Sequence, residues 1–572
     1  MNRQRSFIGF IVAGAIALLL IAIAGFYWFF AKNPANLTAS TGQPSATIFV
    51  SKLSPVMVSL LTNPNRLQAL EGEGELSKLK TSLFAKSGID YKEDVQPWLG
   101  DEITLAITTL DIDRDLENGQ QPGYLLALAT KQPEKSREFV ELLFSKRALA
   151  GANLAVEQYK GVKLIYDNQE VSTEEKISNR STERSRSPKS QIQNYLAGAA
   201  VGEDFVLFAN DPKVLRDAIN NVQAPDLNLT SSLEYQKATK QLPKGGLAVA
   251  FLNLPIVAKW QGLELPQSYD SEIISLALNP KGLLAETSFL TSSEIVSPSS
   301  PLSKPVGALK YVPASAGLAI SGSNLSNLGN SDLAKLWRQA TATIYGSEED
   351  VVSRFAKPLA DVQKNWGINL PEDIFSWVQG EYAIALLPAK EQTIPNWIFV
   401  VEKSESVEKG VARLDAIASS NGLSINLLTL PQQKISAWTE LTTATKKSNV
   451  KEGTSFSIET KVRGLHTTLG NYEIFTSDLE TMDEILTAKD NSLIDNPKFQ
   501  DSIAAIHQPN QGYIYLDWTK SQNLLERQVP ILKLVEVLGK PFFDNLRSLT
   551  VSSYGNDTGA LKSGVFFQFN NS

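Results

Sequence analysis

The sequence predicts an α+β protein: an N-terminal transmembrane helix followed by two tandem homologous domains of antiparallel sheet with packed helices. Three observations carry that reading: one long uncharged apolar run, one motif written twice, and many short alternating runs joined by tight turns.

The apolar run comes first along the chain. Phe7 to Phe30 holds 24 residues without a charge. At 1.5 Å per residue that length crosses the roughly 30 Å hydrocarbon layer. It ends in Phe26-Tyr27-Trp28-Phe29-Phe30, rings that favour the headgroup level. A cleaved signal peptide would have a shorter apolar core and small residues at its end, so an uncleaved anchor is expected. Arg3 and Arg5 in the 1–6 tail, against Lys32 alone on the far side, place the N-terminus in the cytosol and the body across the membrane. Residues 31–45, with Pro34, Gly42 and Pro44, read as a flexible stalk.

The repeat decides the organisation of the rest. Gly88 to Ile107 aligns without gaps to Gly367 to Leu386 with 7 identities in 20, where unrelated windows share about one. Further echoes follow in order: Val201 to Phe208 with Leu469 to Thr476, and Gly245 to Leu252 with Gln511 to Trp518. Two copies result, residues 46–293 and 312–572, joined by a Ser/Pro-rich linker over 294–311. Such copies are expected to share an interface.

The shared motif reads as a helix-to-strand corner. Asp90 and Asn369 are good N-caps, and Glu93 and Glu372 stand three positions later, as a capping box requires. Val95, Trp98 and Leu99, matched by Ile374, Trp377 and Val378, give a short helix one apolar face. Gly100 and Gly380 follow where the chain must leave that helix. Glu102 and Glu381 open the next strand as ligand contacts or, on the blander reading, exposed structural carboxylates.

Alternation predicts strands at 102–110, 124–129, 162–166, 195–201, 204–208, 247–252, 272–278 and 283–289, with 381–387 and 397–401 in the second copy. A helix opened by Pro133 carries Phe139, Leu142, Leu143 and Lys146 on one side; its counterpart carries Val407, Val411, Leu414 and Ala418. Short turns imply antiparallel hairpins with helices on one sheet face. Two polar stretches, 168–194 and 441–459, read as disordered inserts. Ile531, Leu534, Val535 and Leu538 form a helical stripe that reads as core, with a lipid or apolar ligand as the alternative.

The run Glu93-Asp94-Val95-Gln96-Pro97-Trp98-Leu99-Gly100-Asp101-Glu102 resembles the cyanobacterial single-pass membrane family defined by domain of unknown function 3352. The second copy departs from its pattern, with Ser376 for the Pro and Gln379 for the Gly. The family has no assigned activity, so no functional residue carries over. The resemblance implies a cyanobacterial origin, with the body in the periplasm or thylakoid lumen.

Composition narrows the chemistry. With 42% apolar and 20% charged residues the chain has material for real cores. The absence of Cys excludes disulfides, thiolate nucleophiles and cysteine-ligated metal. His466 and His507 are the only imidazoles and read as ordinary surface or satisfied residues. A net charge of −7 argues against nucleic acid. Asp111 to Gly119 starts like a calcium loop, but Leu116 and Pro122 stand where glycine and glutamate are needed. Ser77-x-x-Lys80 and Ser448-x-x-Lys451 lack their companion motifs. No catalytic, cofactor or metal residue is assigned. The expectation is a membrane-anchored binding, scaffold or assembly module with an envelope or thylakoid protein partner. A carrier or sensor of an apolar ligand, and a hydrolase with an unrecognised carboxylate site, are the alternatives.

Overall fold

The computed structural model describes residues 43–61, 90–115, 119–168, 195–242, 246–261, 269–291, 301–331, 334, 368–388, 395–430, 433–447, 454–487, 491–522, 540–557 and 559–569. The expected anchor at 7–30, the insert at 168–194 beyond Asn168 and the apolar stripe at 531–538 lie outside them. Among the described residues no helix is long and apolar enough to cross a membrane.

The chain divides into two compact units, residues 32–277 with 288–290, and 278–287 with 291–572 apart from an N-terminal piece. Their architecture is α+β, dominated by antiparallel strands. The first unit holds β1 (Val56–Leu60), β2 (Leu99–Thr109), β3 (Gly123–Thr130), α1 (Pro133–Leu149), β4 (Leu154–Tyr159), β5 (Val162–Asp167), β6 (Ala197–Val201), β7 (Phe205–Ala209), α2 (Pro212–Gln223), α3 (Leu233–Thr239), β8 (Ala248–Asn253), α4 (Leu254–Gln261) and most of β9 (Ser271–Asn279). Next along the chain is β10 (Gly282–Leu290), most of which belongs to the second unit. That unit continues with β11 (Leu318–Ser323), β12 (Glu381–Leu387), β13 (Asn396–Glu402), α5 (Glu405–Ser420), β14 (Ser424–Leu430), β15 (Gln433–Lys447), β16 (Thr454–Leu469), β17 (Tyr472–Thr476), α6 (Leu479–Thr487), α7 (Pro497–Ala504), β18 (Tyr513–Asp517), α8 (Lys540–Asn545), β19 (Leu546–Asp557) and β20 (Ala560–Phe569).

Strand pairing is the same in both. In the first unit β4 pairs β5, β5 pairs β6, β6 pairs β7, β7 pairs β3, β3 pairs β2, β2 pairs β1, β1 pairs β8 and β8 pairs β9, all antiparallel. In the second, β14-β15-β16-β17-β13-β12-β11-β18-β19 repeats that order, again antiparallel. The register also shows one slip that gapless alignment hides. Val201 pairs Phe205 across three turn residues, whereas Leu469 pairs Tyr472 across two. Beyond the turn, Glu473 therefore matches Val206, not Phe205, and each later side chain changes face.

Helices cover both faces of the central strands, not one. Leu125 and Ala127 of β3 and Leu207 of β7 pack towards α2, through Val214, Leu215 and Ala218. Leu128, Val206 and Phe208 pack on the other side against Phe139, Val140 and Phe144 of α1. In the second unit Ile398 and Val400 face Met482 and Phe499, while Phe399 and Val401 face Leu414 and Trp377. These strands are apolar at successive positions, and such runs need cover on both sides. Along α1 the buried positions are Ser136, Phe139, Val140 and Phe144, and the expected Leu142 is exposed. On α5 the expected Val407, Leu414 and Ala418 are buried, joined by Gly410.

Two expected irregular segments are ordered. Residues 441–447 and 454–459 continue β15 and β16 as a paired ribbon, where an unstructured insert was expected. Thr442, Thr443 and Thr445, and the seven register pairs from Leu441–Thr460 to Lys447–Thr454, favour extension over coil. The C-terminal end of the 294–311 linker is a 3₁₀ turn, Gly307–Tyr311, with Ala308 and Leu309 buried.

Candidate functional site

The repeated corner is built from the backbone outward. Tyr91–Val95 and Leu370–Ile374 each form one wide helical turn. Asp90 Oδ1 accepts the Glu93 N–H at 3.0 Å, which is half of the expected capping box. The carboxylate that reaches back is not Glu93 but Asp94, accepting the Asp90 N–H at 2.9 Å. In the second unit Asp373 accepts the Asn369 N–H at 2.8 Å, and the Asn369 side chain makes no cap bond. Glu93 and Glu372 are exposed. A wide turn brings the fourth residue, not the third, over the free N–H.

The same two aspartates organise the corner. Trp98 Nε1 donates to the Asp94 carbonyl at 2.8 Å, and Trp377 Nε1 to that of Asp373 at 2.6 Å. Lys146 Nζ of α1 lies 3.4 Å from Asp94 Oδ2, and Arg413 Nη2 of α5 lies 2.6 Å from Asp373 Oδ1. Asp94 and Asp373 were missed as site residues, although both are identities of the ungapped repeat. Trp98 is buried against Phe139, with ring centroids 5.1 Å apart. Trp377 lies under Gly410, where a Cβ would approach its ring to 2.5 Å.

The glycines do not end a helix. Gly100 lies within β2, in the irregular stretch between Leu99 and Ile103, and a Cβ there would sit 3.0 Å from the Ala129 carbonyl oxygen. At Gly380 the near neighbour is Glu402 Oε2, at 2.8 Å. Their role is close approach to the adjacent strand rather than a left-handed turn.

Glu102 and Glu381 are engaged rather than free in solvent. Glu102 is 7% exposed and accepts the N–H groups of Ser45 and Ala46, each at 2.9 Å, together with the Ser45 and Thr104 hydroxyls. Ser45–Phe49 is a 3₁₀ turn whose Phe49 enters the core. Glu381, half-buried, accepts the Gly307 N–H at 2.7 Å at the start of the equivalent turn, and the Tyr472 hydroxyl at 2.7 Å. Each carboxylate thus fastens the segment that leads into its unit. Burial, then the bond to Glu381, raises the Tyr472 phenol above its ordinary range.

One polar cluster belongs to the second unit alone. His466 on β16 is buried; its Nδ1 lies 2.8 Å from Glu473 Oε1, and Nε2 lies 3.4 Å from Asp415 Oδ1 without a hydrogen bond. Thr468 donates to Glu473 Oε2 at 2.6 Å, and Trp438 Nε1 to Asp415 Oδ1 at 2.7 Å. The imidazole lies beside Trp438 and Phe475, at centroid distances of 5.2 and 5.7 Å, and those two rings are themselves 6.3 Å apart. The chemistry of a His–carboxylate pair is present, but aromatic rings close it from solvent. His507 is exposed, with Nδ1 3.0 Å from the Gln508 carbonyl.

Elsewhere, Asp111 and Asp113 accept the Gln121 and Asp115 N–H groups and hold their turn. Among the described residues no group of three His, Asp or Glu is arranged to hold a metal. A cleft of about 40 Å³ is lined by Ser321 of β11, Asn324, Tyr382 of β12, Gln511 and Ser552 of β19.

The family described as "Protein of unknown function (DUF3352)" matches residues 11–569. The chain belongs to that family. The DUF3352 match spans both units and both corners, so Trp98 and Trp377 sit within one family-wide region. No curated protein matches the chain. Among solved structures, crystal form I of TP0453 aligns with a TM-score of 0.24 at 8% identity, covering 45% of this chain and 82% of that one. Crystal form IV of TP0453 gives 0.22 and 10%, covering 43% and 80%.

Proposed function

We propose that the chain is a membrane-anchored, extracytoplasmic binding or assembly module made of two copies of one α+β platform, with no catalytic role. One observation carries the reading. The residues that recur between the units, Asp94/Asp373, Trp98/Trp377 and Glu102/Glu381, are engaged with backbone N–H groups, indoles or basic side chains of their own unit. What the repeat reproduces is a scaffold rather than a reacting group.

The 7–30 run supplies the anchor, and the family resemblance supplies a periplasmic or thylakoid-lumen body. Protease added to sealed spheroplasts digests a periplasmic body; a lumenal one is cut only after thylakoids are opened. Cleavage of the body from the cytosolic side would overturn the topology. For the partner, the tagged full chain is purified from native membranes and its co-purifying proteins and lipids are identified. A stoichiometric protein supports the module; a stoichiometric lipid without protein supports the carrier instead.

A further inference from the structure

Among the described residues β14 is an edge strand without the usual protection. Among the described residues it pairs only with β15, through seven consecutive register pairs from Ser424–Thr439 to Leu430–Gln433. Its sequence, Ser424-Ile425-Asn426-Leu427-Leu428-Thr429-Leu430, contains no charge, no proline and no glycine, and its register is free of bulges. Native edges are normally blunted by one of those devices, because an open row of N–H and C=O groups recruits another strand. Two apolar side chains on one face are left to solvent, Ile425 at 41% and Leu427 at 76% exposure.

The first unit shows what a protected version looks like. Val156 of β4 pairs Ile165 as Leu427 pairs Ser436, and it too is exposed. Yet its neighbour Glu157 carries a charge, held by the Arg216 guanidinium with Nη2 at 2.6 Å. The counterpart of Glu157 is Leu428, which pairs Ile435 as Glu157 pairs Leu164, so the strand carries a charge in one unit and none in the other.

We propose that β14 is a homodimerisation edge, paired antiparallel with β14 of a second copy about a two-fold axis at Leu427. Leu427 is the middle of the seven residues, so self-pairing sets Leu427 against its own symmetry mate, Ile425 against Thr429 and Ser424 against Leu430. Residues opposed in an antiparallel pair share a face, so the exposed apolar groups of the two copies meet. The occupant is a second copy because the strand is its own complement. An uncharged edge lets two chains of net charge −7 approach without like charges opposed at the contact.

The Cys-free sequence allows a clean test on the full chain purified in detergent. Leu427→Cys, treated with a short bismaleimide, is expected to give a covalent dimer of the chain. Val156→Cys, at a position also exposed to solvent on β4, is expected to stay monomeric. Leu427→Lys and Leu427→Glu, each checked for unchanged circular dichroism, are expected to lose the dimer in light scattering, and mixing the two is expected to restore it. A monomeric parent chain, equal crosslinking of both cysteine variants, or a Leu427→Cys crosslink only to a different protein would each overturn the proposal. None of these outcomes depends on topology or on the partner of the module.

Discussion

Gly198 and His466 occupy one register position, opposite Phe208 and Phe475 respectively. In the first unit the missing side chain leaves room for Phe144, whose ring would lie 2.7 Å from a Cβ at Gly198. In the second, the imidazole fills the space and brings Glu473 with it, where Val206 stands in the first unit. Two copies of one fold thus solve the same packing problem once with phenylalanine and once with a buried polar pair.

That exchange has a consequence for coupling. His466→Phe keeps a ring beside Trp438 and Phe475 but strips Glu473 of its imidazole partner, and is expected to cost about 1.5 to 3 kcal/mol. Glu473→Val alone leaves the imidazole unpaired and is expected to cost a similar amount. The double variant restores an apolar site like that around Val206, so its loss should be smaller than the sum of the two. Urea unfolding of all four proteins measures this; strict additivity would mean that the pair is not the unit of stability.

Gly410 gives a prediction that runs against helix propensity. Replacing a mid-helix glycine by alanine ordinarily stabilises by about 1 kcal/mol. Here the new methyl would meet the Trp377 ring at 2.5 Å. Overpacking of that kind costs about 1 to 3 kcal/mol, so Gly410→Ala is expected to lower the thermal midpoint. Trp377→Ala is expected to lose about 3 to 5 kcal/mol, as is Trp98→Ala. A Gly410→Ala protein that melts above the parent would show that the helix can move off the indole.

How much of this was legible in the sequence follows from which interactions are local. The strands and the first helices were readable because period-two alternation and Pro133 act over a few residues. The corner was found because both Trp residues and their acidic neighbours recur without a gap. What escaped was set by distant partners. The partner of Glu102 is Ser45, 57 positions earlier, so its burial leaves no local trace. The choice of Asp94 over Glu93 depends on a wide turn that propensity does not distinguish from an α-turn. The slip after Gly202 is a one-residue difference in turn length, invisible when both segments read Val/Leu-Gly. His466 read as an ordinary surface or satisfied residue because Asp415 and Glu473 reach it from other elements.

The two fastening carboxylates are expected to act on the segments they hold. Glu102→Gln replaces an acceptor oxygen with an NH₂ group that faces the Ser45 or Ala46 N–H, which bond different oxygens; Glu381→Leu removes the single oxygen that accepts from both Gly307 and Tyr472. Each change is expected to cost about 1 to 3 kcal/mol. Hydrogen exchange provides the local readout: faster exchange at residues 45–50 for the first variant and at 307–312 for the second, with the other unit unaffected. Loss of protection spread evenly over the unit, with no excess at these turns, would show that the carboxylates stabilise only globally.

The last prediction concerns pH. Arg216 donates to both oxygens of Glu157, with Nη2 at 2.6 Å from Oε2. That hydrogen bond, ahead of the opposing desolvation and the Coulomb attraction, holds the Glu157 carboxyl below the ordinary glutamate range. A group whose pKa is lowered on folding favours the native state when ionised, so its contribution is complete above the unfolded value of about 4.3 and fades as pH falls through the lower folded value. The pair is partly exposed, and roughly 0.2 to 1 kcal/mol is the scale for such a bridge. The parent and Glu157→Gln should therefore differ by that amount in urea unfolding at pH 7, and the difference should shrink on acidification below about pH 4. Added salt should reduce it at neutral pH, because charges near the surface are screened. A difference that persists unchanged at pH 3 would assign the effect to the altered hydrogen bonds of the side chain rather than to its charge, since the Tyr166 hydroxyl also donates to Oε2, at 3.2 Å.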